Sequence, residues 1–212
     1  MPHIRGNTGV RGLTRLGPVM QLAWLPSDFD AAVRYWTETM GVGPFFLVEN
    51  IELGNMRYRG APTDAVFSLA LSYWGDTQIE LIRPENDSPS LYSGEYAVRD
   101  RLHHVCLLVD DIADAYAECA AQGAEIIVEG DVGDTGRVIY ADPGGGPGSL
   151  VEILQPQPGT ADMFAMIRQT AASWDGRSST APDSRRASPC SATSSAAAPP
   201  PHATAYSRPA TG

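Results

Sequence analysis

Gln21-Leu-Ala-Trp-Leu-Pro-Ser-Asp-Phe29 and His104-Val-Cys-Leu-Leu-Val-Asp-Asp-Ile112 follow one pattern, an apolar run that passes into an acidic helix start, 83 residues apart. A repeat of this kind marks a duplicated supersecondary unit. The first copy continues with Phe29, Ala32, Val33, Trp36 and Met40 at helical spacing and stops at Gly41. The second continues with Ile112, Ala115, Tyr116 and Cys119 and stops near Gly123. Each stripe is the apolar face of one amphipathic helix. Ser27 and Asp30 stand in capping-box spacing at the first helix start.

The two copies also end alike, since Ile79-Glu80-Leu81-Ile82-Arg83-Pro84 matches Val151-Glu152-Ile153-Leu154-Gln155-Pro156, now 72 residues apart. The second copy is therefore 11 residues shorter, a loss expected in the loops between helix and last strand. Between the landmarks, 45–53 and 65–74 read as strands in the first copy, and 125–129 and 136–141 in the second. Each copy reads β-α-β-β-β. Asp142-Pro-Gly-Gly-Gly-Pro-Gly148 has no helix after it, which makes it a turn into the Glu152 strand and not a phosphate cradle. Met163, Ile167, Ala171 and Trp174 form the stripe of a C-terminal helix over 158–175, expected on the outside of the sheet.

Composition narrows the chemistry. A net charge of -10 disfavours nucleic acid, whose affinity comes from clustered cations. Every basic residue is Arg, so neither a Schiff-base lysine nor a P-loop lysine is possible. Three cysteines do not make a disulfide framework. No stretch approaches the roughly 18 apolar residues of a membrane span. The expectation is a cytoplasmic protein with no membrane partner, a loose N-terminal arm over 1–16 and a disordered Ala/Ser/Pro-rich tail over 176–212.

Four polar residues are not needed by the strands that carry them. Gln21 shares a strand face with Ala23 and Leu25, Glu80 with Gln78 and Ile82, His104 with Cys106 and Leu108, and Glu152 with Leu150 and Leu154. Any one alone reads equally well as a hydrogen-bonded or edge-exposed polar residue. Together they occupy equivalent places in both copies, and a shared cation would remove the cost, several kcal/mol, of burying unpaired carboxylates. Gln21, Glu80, His104 and Glu152 are thus candidate metal ligands. His103 follows the alternation of a strand and is expected to face outward as a satisfied polar residue. Glu80 and Glu152 could also form an acid/base pair of glycosidase type, but no sugar-binding aromatic pattern can be localised.

These residues resemble the vicinal-oxygen-chelate superfamily, which includes glyoxalase I, methylmalonyl-CoA epimerase, extradiol dioxygenases and bleomycin-resistance proteins. The resemblance covers about residues 17–157 and rests on the paired starts at Gln21 and His104, the paired endings at Glu80 and Glu152, and the Tyr140-Ala-Asp-Pro143 turn. It implies an α+β fold in which two repeated βαβββ modules, 19–84 and 101–157, form a cupped mixed sheet around one cleft. It also implies metal ligands from the first and last strands of each module, and a homodimer. The order Gln, Glu, His, Glu is similar to the ligand set of animal-type glyoxalase I, which implies Glu152 as the catalytic base, alternating with Glu80. Epimerases of the superfamily usually carry His at the first place and often Gln at the second. Iron dioxygenases use two His and one Glu, which Gln21 does not match, and bleomycin-resistance proteins generally lack a full set.

The expected cofactor is one divalent ion, zinc, nickel, cobalt or manganese, and the expected partner is a small-molecule substrate with neighbouring oxygens. The implied activity is that of a metal-dependent isomerase, epimerase or lyase moving a proton next to a carbonyl. A non-catalytic small-molecule binding protein is the alternative. The Arg and Asn residues with which glyoxalase I holds glutathione cannot be placed in this sequence.

Overall fold

The structure, a computed structural model, describes residues 12–177. The first eleven residues of the expected arm, and the expected tail from residue 178 on, lie outside the described residues. Along the chain run β1 (Gln21–Trp24), α1 (Phe29–Arg34), β2 (Phe46–Glu52), β3 (Gly54–Tyr58), β4 (Ala61–Pro62), β5 (Val66–Trp74) and β6 (Thr77–Pro84). After a connection without regular strands come β7 (Leu102–Leu108), α2 (Ile112–Gln122), β8 (Glu125–Val132), β9 (Gly136–Asp142), β10 (Leu150–Gln155) and α3 (Thr160–Ala172).

The strands form one ten-stranded sheet in the order β2-β5-β6-β1-β7-β10-β9-β8-β3-β4. β1 pairs parallel with β6, and β7 parallel with β10. The neighbours outward are antiparallel on both sides, β6 with β5 and β5 with β2, β10 with β9 and β9 with β8. The halves meet where β1 runs antiparallel to β7. This is a mixed α+β sheet, with the pairing pattern of the first half repeated in the second.

The extra residues of the first half are β3 and β4. They leave their own half after β2 and β3 pairs with β8, the edge of the other half. The length difference thus buys a strand hairpin that covers a foreign edge and blunts it, not merely a longer loop.

Both sheet faces are covered. α1 and the π-helical turn that continues it, Tyr35–Thr39, lay Val33 and Trp36 on Ala70, Ile79 and Leu81, while α2 lays Ala115 and Cys119 on Ile139, Ala141 and Ile153. The N-cap of α1 is Asp28, which accepts from the Ala31 amide; the expected cap Ser27 instead donates to Asp100. α2 begins at Asp111 and ends at Gly123, whose φ of 68° suits a left-handed C-cap. Tyr116, expected on the buried stripe, is exposed and donates to Glu129. A 3-10 turn at Leu13–Leu16, within the expected arm, packs Leu13 and Leu16 beside α2.

α3 corrects a second expectation. Its Ile167 packs with Phe46, Leu71 and Tyr73, and Leu71 and Tyr73 stand opposite Glu80 and Gln78. Residues directly opposite share a face. α3 therefore lies on the inner face, with the four candidate residues, whereas α1 and α2 lie on the outer one. The expectation failed because β5 turns Phe67, Leu69, Leu71 and Tyr73 to its inner face, whereas its outer face carries Ser68 and Ser72, so the apolar surface open to the helix is the inner one. No helix among the described residues is long and apolar enough to cross a membrane.

Candidate metal centre

Two neighbouring rows cross the inner face. Register places Tyr73, Gln78, Gln21, Cys106, Glu152 and Tyr140 in one, and Leu71, Glu80, Ala23, His104 and Leu150 in the next. Ala23 is the hinge of the arrangement. Its methyl group leaves room for Glu80 and His104 to reach toward each other, and His104 Nε2 stands 3.9 Å from Glu80 Oε1. Glu152 comes from the other side, its Oε2 3.0 Å from the same nitrogen.

All four residues expected to meet are brought together, and all are buried: Gln21 4%, Glu80 4%, His104 0% and Glu152 7% exposed. They grip one another. Gln21 Nε2 donates to Glu80 Oε2 and to Gln78 Oε1, each at 2.6 Å, and Gln78 Nε2 donates to Tyr73 Oη at 3.1 Å. Gln21 Oε1 is buried with no hydrogen-bond partner among the described residues. In this self-bonded arrangement no group of three or more His, Cys, Asp or Glu among the described residues is set to hold a metal ion. The donor set nevertheless suits a divalent cation in kind: two carboxylates, an imidazole nitrogen and one orphaned amide oxygen.

Electrostatics follow from closure. Burial, and then the Glu152 carboxylate, pushes Glu80 well above the ordinary carboxylate range, against the opposing effect of Gln21's hydrogen bond. Burial likewise raises the Tyr92 and Tyr140 hydroxyls and the Cys106 thiol, with Glu80 and Glu152 adding to each shift. Tyr73 is pushed up to about 12 by burial.

His103 does not face outward. Ala23 pairs with His104 but Trp24 pairs with Leu102, so His103 is the extra residue of a β-bulge. A bulge interrupts alternation and lets neighbours share a face. The His103 ring is fully buried, 2.9 Å from His104 through the two Nδ1 atoms, with Nε2 3.2 Å from the Leu91 carbonyl. Burial, then His104, drives it down to about 3. It packs on Tyr92, whose ring centroid is 5.7 Å away, while His104 meets the edge of Tyr140 at 5.2 Å.

Sequence reading therefore missed the parts of His103, Gln78, Tyr92 and Tyr140. Strand alternation already puts Gln78 beside Glu80, and the strand pair β9–β10 puts Tyr140 opposite Glu152, so these two carried a signal. Tyr92 belongs to an aperiodic connection and carried none. The turn after β9 is as expected, with Asp142 Oδ1 accepting from the Gly144 and Gly146 amides. A cavity of about 370 Å³ lies elsewhere, against the β3–β4 hairpin, lined by Leu53, Met56, Arg57 and Asp64 among others.

A family model described as the Glyoxalase/Bleomycin resistance protein/Dioxygenase superfamily matches residues 20–141. The chain is 29% identical over 105 residues to the uncharacterized protein YwbC of Bacillus subtilis, spanning 48% of this chain and 68% of that protein. Among solved structures, a hypothetical protein from Bacillus halodurans is similar at 15% identity and a TM-score of 0.47, over 66% of this chain and 94% of that one. A methylmalonyl-CoA epimerase from Streptomyces coelicolor, in complex with 2-nitronate-propionyl-CoA, is similar at 18% identity and a TM-score of 0.47, over 68% of this chain and 96% of that one.

Proposed function

The chain belongs to the Glyoxalase/Bleomycin resistance protein/Dioxygenase superfamily, and from its inner-face cluster we propose that it is a metal-dependent isomerase, epimerase or lyase that moves a proton next to a carbonyl. The observation that carries this reading is the meeting of Glu80, Glu152 and His104 beneath a buried, unpartnered Gln21 Oε1. Gln21 Oε1, Glu80, His104 Nε2 and Glu152 would hold the ion, of zinc, nickel, cobalt or manganese type. When bound, it would supply a Lewis acid that polarises a carbonyl oxygen.

The protein groups divide the remaining labour. Glu80, whose ionisation burial disfavours, suits a proton donor. Glu152, hydrogen-bonded to His104, is the acceptor in this reading, and the two alternate over a turnover. Ala23 leaves the space in which Glu80 reaches toward His104, while Tyr92 and Tyr140 wall the site from water. The substrate class is a small carbonyl compound with neighbouring oxygens, and a homodimer is part of the same proposal.

One observation favours a second reading, a non-catalytic small-molecule binding protein: the cluster is closed and bonded to itself, with no group among the described residues set to hold a metal as it stands. The two readings separate in one experiment. Chain stripped with chelator is titrated with nickel, cobalt, zinc and manganese, and the loaded protein is assayed for deuterium uptake from heavy water into 2-oxo and 2-hydroxy carbonyl compounds. One ion per chain, with uptake lost in Glu152→Gln while metal is kept, supports the enzyme. No thermal shift with any of the four metals, together with no exchange, overturns it in favour of the binding protein.

A further inference from the structure

We infer that His103 is a positioning residue that keeps a hydrogen on His104 Nδ1, so that Nε2 is the ring atom left to face Glu80 and Glu152. Hydrogen-bond polarity fixes the two rings. A backbone carbonyl can only accept, so the 3.2 Å contact between His103 Nε2 and the Leu91 oxygen places a hydrogen on that Nε2. Only one hydrogen fits between the two Nδ1 atoms at 2.9 Å. His103 is fully buried, its ring packed on Tyr92 and His104, and no carboxylate is paired with it in the salt bridges among the described residues. A cation there would be an uncompensated buried charge, which costs several kcal/mol. His103 is therefore neutral with hydrogen on Nε2, its Nδ1 accepts, and His104 Nδ1 donates.

The consequence falls on the other side of the His104 ring. With Nδ1 donating to His103, the 3.0 Å contact of Nε2 with Glu152 Oε2 takes the ring's one other hydrogen, and a cation between Nε2, Glu152 and Glu80 Oε1, 3.9 Å from Nε2, would take that hydrogen's place. That nitrogen is the one a cation would need. The bulge at His103 is what makes the chain possible, since regular alternation would have sent the two rings to opposite faces. The ring orientation is read from the metal-free chain; only its consequence for affinity rests on the proposed role of His104 as a ligand.

Long-range proton–nitrogen correlation spectra of chelator-treated protein labelled with nitrogen-15 at histidine test it. The inference expects hydrogen on His104 Nδ1, and on Nε2 but not Nδ1 of His103. In His103→Phe, which removes the acceptor, His104 should lose hydrogen from Nδ1 and carry it on Nε2, and manganese affinity should fall about 10- to 100-fold. His103→Asn, whose Oδ1 can accept in place of Nδ1, should restore both. Wild-type His104 with a bare Nδ1, or His103 with hydrogen on Nδ1, overturns the inference, and neither result depends on a variant folding. If the hydrogens are placed as expected but wild type takes up no divalent metal, the inference stands and the proposed function falls.

Discussion

Under α3 the inner face of β2 and β5 carries Phe46, Leu71 and Tyr73, whereas Val138, Tyr140 and Leu150 of the second half lie in a core that joins them to Ala23, Phe67 and Ile82 of the first, to Leu91, Tyr92 and Tyr96 of the connection and to Met56 of the β3–β4 hairpin. The equivalent polar positions differ in the same sense. His104 is tied on its far side to His103, and through it to Leu91, while Gln21 presents an oxygen with no hydrogen-bond partner among the described residues. One half thus holds an imidazole whose orientation is fixed from behind, and the other an amide held through its nitrogen alone. The strand pairing repeats; the segments between and after the strands decide how each of these side chains is held.

The largest expected effects break the comparison outright. Ile167→Ala removes the side chain by which α3 seals the first module and should cost about 2–5 kcal/mol in chemical denaturation. Because the cluster under α3 is built from β2 and β5 and holds no residue of β9 or β10, hydrogen exchange should quicken first along β2 and β5. Equal quickening along β9 and β10 would show that the two covers are not separable.

Next comes acidity, where the modules oppose each other in the metal-free chain. His103, which faces His104 and Tyr92, is lowered from 6.5 to about 3, so its contribution is present above pH 6.5 and lost as pH falls, at up to about 1.4 kcal/mol per pH unit. Glu80, which faces Glu152, His104 and Gln21, is raised above 4.5, so its contribution is present below pH 4.5 and lost as pH rises through its folded value. Between pH 4.5 and 6.5 the two act in opposite directions. Glu80→Gln should therefore lose stability on acidification through this window, and His103→Asn should gain it. Urea midpoints with the wild-type pH profile in both variants would refute the pairing.

The smallest effects sharpen the comparison at the helix starts. Asp28→Ala and Asp111→Ala should each cost about 1 kcal/mol, since each aspartate caps its helix. Ser27→Ala, removing an exposed bond to Asp100, should stay within about 0.5 kcal/mol in thermal melts. A larger loss for Ser27 than for Asp28 would restore the capping-box reading.

Much of this was legible in the sequence, for reasons that also explain what was not. The repeat located β1, α1, β6, β7, α2 and β10 because strand period and helix period are both encoded in apolar spacing, and it brought Gln21, Glu80, His104 and Glu152 to one face. The bulge at His103 has no glycine or turn residue to announce it; it is fixed by the partner strand, where Trp24 skips a position. The β3–β4 hairpin was hidden because its pairing partner, β8, lies in the other module. Tyr92 is placed by tertiary contacts alone, against Phe67 and His103.

The central claim is that the two modules share one cation through Gln21, Glu80, His104 and Glu152. Anomalous diffraction from crystals of the chain loaded with cobalt or zinc tests it most directly. The account predicts one ion per chain, about 2.0–2.2 Å from His104 Nε2 and from oxygens of Glu80 and Glu152, with the Gln21 amide turned so that Oε1 faces the ion. An ion bound elsewhere, or no ion while Gln21 Nε2 still donates to Glu80, would contradict it.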